Sequence, residues 1–189
     1  MDSRRVYTRP ATRVLAALLL FACGAFAIAG GPQIGDLPPD ALGKDGNGNP
    51  VRVSDYRGKI VVISFWASWC LPCRQEMPWL ARIQQQATRD KLLVVAVNWK
   101  ESREKFRAIR NSLKDIDLTL VSDANGNVGA YYGVHAIPHM VIVGRDGRIA
   151  RVHVGYSADG IPELVDEINE LWTRGAAEPA AEKPGDSST

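Results

Sequence analysis

The chain has 189 residues, 46% of them hydrophobic and 23% charged, the balance of an ordinary soluble domain that buries a core without staples. Its formal charge of +2 belongs to the N-terminus: taking the four arginines and one aspartate of residues 1–29 from the totals of 23 basic and 21 acidic residues leaves 19 against 20. A near-neutral body of this kind gives no electrostatic basis for a nucleic-acid partner.

Residues 1–29 read as a signal peptide or membrane anchor. Basic MDSRRVYTRPATR precedes VLAALLLFACGAFAIA, sixteen residues without a charge, and the run closes on Ala27-Ile28-Ala29, a small-x-small pattern suited to cleavage before Gly30. Three other routes stay open. Leu20-Phe21-Ala22-Cys23 loosely resembles a lipobox, and SRRVY resembles a twin-arginine signal. An uncleaved run would act as an anchor, although it falls short of the ~20 apolar residues of a spanning helix. Every route implies a periplasmic or otherwise exported protein, free or membrane-anchored.

Residues 30–50, rich in Gly, Pro, Asp and Asn, read as an extended lead-in with a turn at Asn47-Gly48. A short strand at 51–53 follows. Residues 60–66 are almost wholly apolar and β-branched, as in a strand buried on both faces. A helix is expected from the cysteines to about Thr88, then a second buried strand at 92–98. Residues 102–113 place Phe106, Ile109 and Leu113 at helical spacing. A short strand at 118–121 and one helical turn at 128–132 come next. Strands at 140–143 and 149–154 flank GRDGR, a hairpin signal with Asp146-Gly147 at its tip. Pro162 suits the first turn of a last helix ending near Trp172. Residues 176–189 hold no large apolar side chain and are expected to be disordered, which leaves 30–175 as one domain. This alternation predicts an α/β fold whose central sheet is mixed and covered by helices.

The chain has three cysteines, and Cys23 lies in the leader. Cys70 and Cys73 are too close to staple a long loop, so in an exported domain the pair points to chemistry rather than stability. Cys70 follows a strand and opens a helix, where unpaired N–H groups favour its thiolate. Pro72 costs the first turn no donor. Cys73 lies one turn further in, placed to attack a mixed disulfide that Cys70 has made. Leu71-Pro72 offers no cation to stabilise the reduced thiolate, which favours a reductant.

The stretch YRGKIVVISFWASWCLPCRQEMP resembles the thioredoxin superfamily, and within it the exported thiol-disulfide oxidoreductases of the TlpA/ResA type, with the cytochrome-c-maturation thioredoxins as relatives. The likeness runs from about Gly35 to Trp172. It implies a thioredoxin-like fold with an N-terminal extension and a central insert at 99–121. Pro78 matches a helix kink, and YYGVHAIPHMVIV matches the segment with a cis-proline, here Pro138. The resemblance implies Cys70 and Cys73 as catalytic thiols and a docking surface of Trp69, Ile137, Pro138 and His139, with Ile137 pairing its backbone to a partner chain. It implies no cofactor, and as partners proteins bearing dithiols or disulfides, such as cytochrome c or copper-site cysteines, plus a membrane electron donor.

Three positions depart from that pattern. Ser64 stands where thioredoxin has a buried aspartate, and Glu76, three residues past Cys73, is an acid common in this branch that would serve in its place. His139 replaces a small hydroxyl residue, and Gly144 an acid. Other readings compete. His135 and His139 form H-x₃-H, so a metal-binding envelope protein using Cys70, Cys73 and His139 is one, although the Cys and His pairs are far apart for a zinc finger. A thiol peroxidase is another, but it would need a threonine two or three residues before the attacking cysteine. A binding module using the docking groove alone is the third. No metal is expected at the site.

Overall fold

The computed structural model describes residues 30–174. The leader at 1–29 and the tail at 176–189 lie outside them. Within them the elements follow the chain as β1 (Ala41–Asp45), β2 (Pro50–Arg52), β3 (Ile60–Trp66), α1 (Leu71–Ala87), β4 (Leu92–Trp99), α2 (Arg103–Ser112), β5 (Thr119–Asp123), α3 (Asn127–Tyr131), β6 (His139–Val143), β7 (Ile149–Val154) and α4 (Ile161–Arg174).

Every residue of β3 is buried, as its unbroken apolar run requires. It lies inside one seven-stranded sheet of order β2-β1-β5-β4-β3-β6-β7. β3, β4 and β5 are parallel, whereas β6, β7, β1 and β2 join antiparallel to their neighbours. The sheet is therefore mixed, and this is the thioredoxin-like α/β fold.

Alternation along β3 sorts its side chains between two cores. Ile60, Val62 and Trp66 face a cluster built with α1 and α4, in which Met77, Leu80, Leu164 and Ile168 are buried. Val61, Ile63 and Phe65 face the other cluster, beneath α3 and a short 3-10 turn at Val53–Tyr56, with Tyr132 and Val134. Buried positions on α1 fall at 73, 76, 77, 80, 83 and 84, one continuous helical stripe. Gln84, polar but wholly buried there, accepts from the Val94 N–H at 2.7 Å.

The lead-in is more ordered than composition suggests. Ala41–Asp45 forms β1, paired to β2 through the expected turn at Asn47-Gly48 and to β5 on its other side. Gly43 explains why the segment is hard to read: the register shifts there, φ is +117°, and a Cβ would stand 2.8 Å from the Ser122 carbonyl oxygen. The central insert does not stand off the fold, because its strand β5 is an interior member of the sheet.

Candidate active site

Cys70 is the N-cap of α1, with extended backbone (φ −82°, ψ 104°), and its sulfur accepts from the Cys73 N–H at 3.2 Å. Pro72 lies in the first turn, where a missing donor costs nothing. Cys70 and Cys73 form a disulfide with Cα atoms 5.3 Å apart. Cys73 is 0% and Cys70 5% exposed, so the difference in access is in the expected direction, although the oxidised Cys70 is itself largely covered. Trp69 beside it is 63% exposed.

The Ile137–Pro138 bond is cis. The Ile137 carbonyl oxygen lies 3.8 Å from the Cys70 sulfur, and Pro138 is buried while Ile137 is half-buried. The Pro138 carbonyl accepts from the Gly155 N–H at 2.8 Å, tying this loop to the end of β7.

Glu76 is 2% exposed, and its Oε2 accepts from the Ser64 hydroxyl at 2.8 Å. Residues 73 and 76 share a helix face, so the carboxyl lies on the Cys73 side of α1. Burial pushes it up to about 7, and the Ser64 hydroxyl offsets only part of that rise. Ser64 thus stands where the related fold carries an acid, and here it binds one. A cleft of about 400 Å³, lined by Glu76, Met140, His153, Tyr156 and Glu163 among others, opens against this carboxyl. A second groove of about 530 Å³ runs along α1, walled by Pro78, Trp79, Arg82 and Tyr156.

His139 corrects one expectation. Placed at the docking surface by sequence, it is instead buried at the start of β6, paired with Phe65 and edge-on to its ring at 6.0 Å. Phe65 belongs to the cluster on the sheet face away from α1, so strand alternation turns His139 away from the cysteine helix. Burial first, and His135 second, hold its pKa below the usual imidazole value. His135 is exposed. Among the described residues no group of three or more His, Cys, Asp or Glu side chains is arranged to hold a metal.

Glu101 was not singled out by sequence. It follows β4 and is 4% exposed, yet its carboxylate reaches the loop before Cys70, accepting from the Ser68 N–H at 2.7 Å and the Ser68 hydroxyl at 2.6 Å. The only signal is an acid two residues past the end of a buried strand, a position usually solvated.

Residues 34–152 match the AhpC/TSA family. The thioredoxin-like protein YneN of Bacillus subtilis is 38% identical over 127 residues, 66% of this chain and 74% of that protein. The chain belongs to this family, as a TlpA/ResA/DsbE-like thiol-disulfide oxidoreductase of the thioredoxin superfamily. The thiol-disulfide oxidoreductase ResA of the same organism is 29% identical over 152 residues, 79% of this chain and 76% of its own. A Chlorobium tepidum structure, assigned as a thiol:disulfide interchange protein DsbE, superposes with a TM-score of 0.67 at 31% identity, covering 74% of this chain and 98% of that one. The activity of this oxidoreductase resides in the Cys70–Cys73 pair.

Proposed function

We propose that this oxidoreductase is an exported reductant of protein disulfides, in which Cys70 attacks, Cys73 resolves and Glu76 carries the proton. The Cys70 thiolate displaces one sulfur of the partner's disulfide and forms a mixed disulfide. Cys73 gives its proton to the Glu76 carboxylate and attacks the Cys70 sulfur. The Cys70–Cys73 bond closes, the second partner sulfur leaves as thiolate, and two electrons have passed to the partner. Protons from Glu76 and solvent restore the partner thiols.

The single observation that carries this reading is a carboxyl buried on the Cys73 side of α1 with a pKa of about 7, matched to proton transfer near neutral pH. The cleft beside it supports exchange of that proton with water. Trp69 and the backbone of Ile137 would receive the partner's extended chain across Pro138. The leader pattern and the exported group to which the relatives belong support an envelope location. An electron donor in the membrane is part of the proposal, since an exported reductant has to be re-reduced from inside. Among the described residues no helix is long and apolar enough to cross a membrane. The tether considered in this proposal would be the apolar run of the leader, within residues 1–29. Cysteine pairs of cytochrome c or copper sites, and mis-paired disulfides, are the substrate classes proposed.

The peroxidase alternative is disfavoured by the same loop. Residues 67–69 are Ala-Ser-Trp, and the Ser68 hydroxyl is bonded to Glu101. The test of the attack order is trapping: Cys73→Ser should accumulate mixed disulfides with envelope proteins, and Cys70→Ser should not. Equal trapping by both variants refutes the assignment.

A further inference from the structure

Glu101 is a buried carboxylate that the redox steps leave without a task. It stands between the end of β4 and Ser102, the N-cap of α2. Four donors converge on its two oxygens. Oε1 accepts from the Ser68 hydroxyl at 2.6 Å and the Lys105 ammonium at 2.9 Å. Oε2 accepts from the Ser68 N–H at 2.7 Å and the Asn98 side-chain amide at 2.7 Å.

Ser68 lies in the turn that delivers the attacking sulfur. The Cys70 N–H donates to the Ala67 carbonyl at 3.1 Å, closing a four-residue turn with Ser68 and Trp69 at its corners. Gripping both the N–H and the hydroxyl of one corner fixes the backbone orientation and the serine rotamer together. Trp69 is largely exposed and gains little positional restraint from packing, so its placement depends on its neighbours in the turn. Taking a carboxylate out of water is costly, and here the donors that offset the cost include both polar groups of one residue of the cysteine turn. Burial would push its pKa up, yet the bonds from Ser68, Asn98 and Lys105 outweigh that and hold it at about 2. The group is an anion throughout the working pH range.

We propose that Glu101 is a positioning residue, which clamps Ser68 so that Trp69 and Cys70 meet a partner protein in one fixed presentation. The proposal rests on the reading of Cys70 as attacking thiol and Trp69 as a partner contact. It differs from the role of Glu76, because Glu101 moves no proton and acts through the loop.

The test compares reduction of a protein disulfide, insulin, with that of a small one, oxidised glutathione, by the full exported domain. In Glu101→Gln an amide NH₂ replaces one acceptor oxygen, so at least one of the four donors faces another donor. Its kcat/KM for insulin should fall about tenfold or more, mainly through KM, with a smaller loss for glutathione disulfide. Ser68→Ala, which keeps the N–H bond, should lose two- to fivefold in the same direction, and it provides the test if Glu101→Gln does not fold. Lys105→Met, which leaves the grip on Ser68 intact, should stay within twofold of wild type. Unchanged insulin kinetics in folded Glu101→Gln or in Ser68→Ala, an equal loss for both substrates, or a Lys105→Met defect as large as that of Glu101→Gln each overturns the proposal. Trp69→Ala separates the underlying reading: if it leaves insulin reduction unchanged while Ser68→Ala impairs it, Trp69 is not the contact and the clamp acts on Cys70 alone, which overturns the stated presentation.

Discussion

Two glutamates lie buried on either side of the cysteine turn, and they behave in opposite ways. Glu76 and Glu101 are almost equally hidden from solvent, yet one is raised to about 7 and the other lowered to about 2. Burial opposes ionisation in both. Two things differ: Glu76 lies deeper in the core, and it has a single serine hydroxyl as donor, against a backbone N–H, a hydroxyl, an amide and an ammonium for Glu101. The poorly solvated acid can exchange a proton at neutral pH, and the well-solvated one can only hold a shape. Low solvent exposure alone therefore does not decide which role a carboxyl takes; depth beneath the surface and the number of donors do so together.

The contrast is most directly broken at Glu76. Glu76→Gln should slow reductive turnover by up to about 10²-fold, the lower range for a positioned acid–base group. The wild-type advantage should grow as pH falls from 9 toward 7, where free Cys73 thiolate becomes scarce while Glu76 is still largely ionised. Below about 7 it should level off as Glu76 takes up its own proton. Stopped-flow rates for both proteins across pH 5–9 check this, and a ratio independent of pH removes the proton-carrier role.

Stability should show the same contrast in the unfolding midpoint. The folded protein holds the Glu76 proton more tightly than the unfolded chain, so stability is full below the unfolded value of 4.5 and falls as pH rises to about 7. The loss is of the order of 3 kcal/mol, and urea titrations of Glu76→Gln at pH 4.5 and 7.5 should lack it. Glu101 acts with the opposite sign, its contribution present above 4.5 and lost as pH falls toward 2.

A smaller change should come from Ser64→Ala. Without its one hydroxyl donor, the Glu76 carboxyl should titrate still higher, moving the bend of the pH–rate ratio above 7 with a few-fold loss at neutral pH. An unmoved bend would show that the hydroxyl contributes nothing to the proton affinity. The smallest effect belongs to His139→Phe. The ring is buried edge-on to Phe65, its Nε2 without a hydrogen-bond partner, so stability should stay within about 1 kcal/mol and partner reduction should be unaffected. A marked rise in KM for a protein disulfide would restore His139 to the docking surface.

Much of this arrangement was legible because local pattern and global fold agree. The apolar run of β3, the cysteines at a helix start and the GRDGR hairpin each signal their own structure. Glu76 was more readable than its residue type suggests: Cys73, Met77, Leu80 and Ile83 define the buried stripe, and position 76 falls on it. His139 was misread because the family segment fixes its neighbour Pro138 but not the sheet face; one residue of strand alternation separates the cysteine side from the far core. β1 was hidden by Gly43, whose positive φ serves a bulge that no periodicity reveals. Glu101 was invisible because its partner Ser68 is 33 residues away, and only the parallel pairing of β3 with β4 brings the two strand ends together.

One consequence follows from Cys70 being the cap of its own helix. Its sulfur is a weak acceptor while bonded to Cys73 and a strong, charged one as a thiolate, yet the same Cys73 N–H points at it. Gaining electrons therefore exchanges a covalent link across the first turn of α1 for a stronger hydrogen bond at the same place. The backbone proton of Cys73 should exchange with deuterated water more slowly in the reduced protein than in the oxidised one, so that a single main-chain position reports how many electrons the enzyme holds.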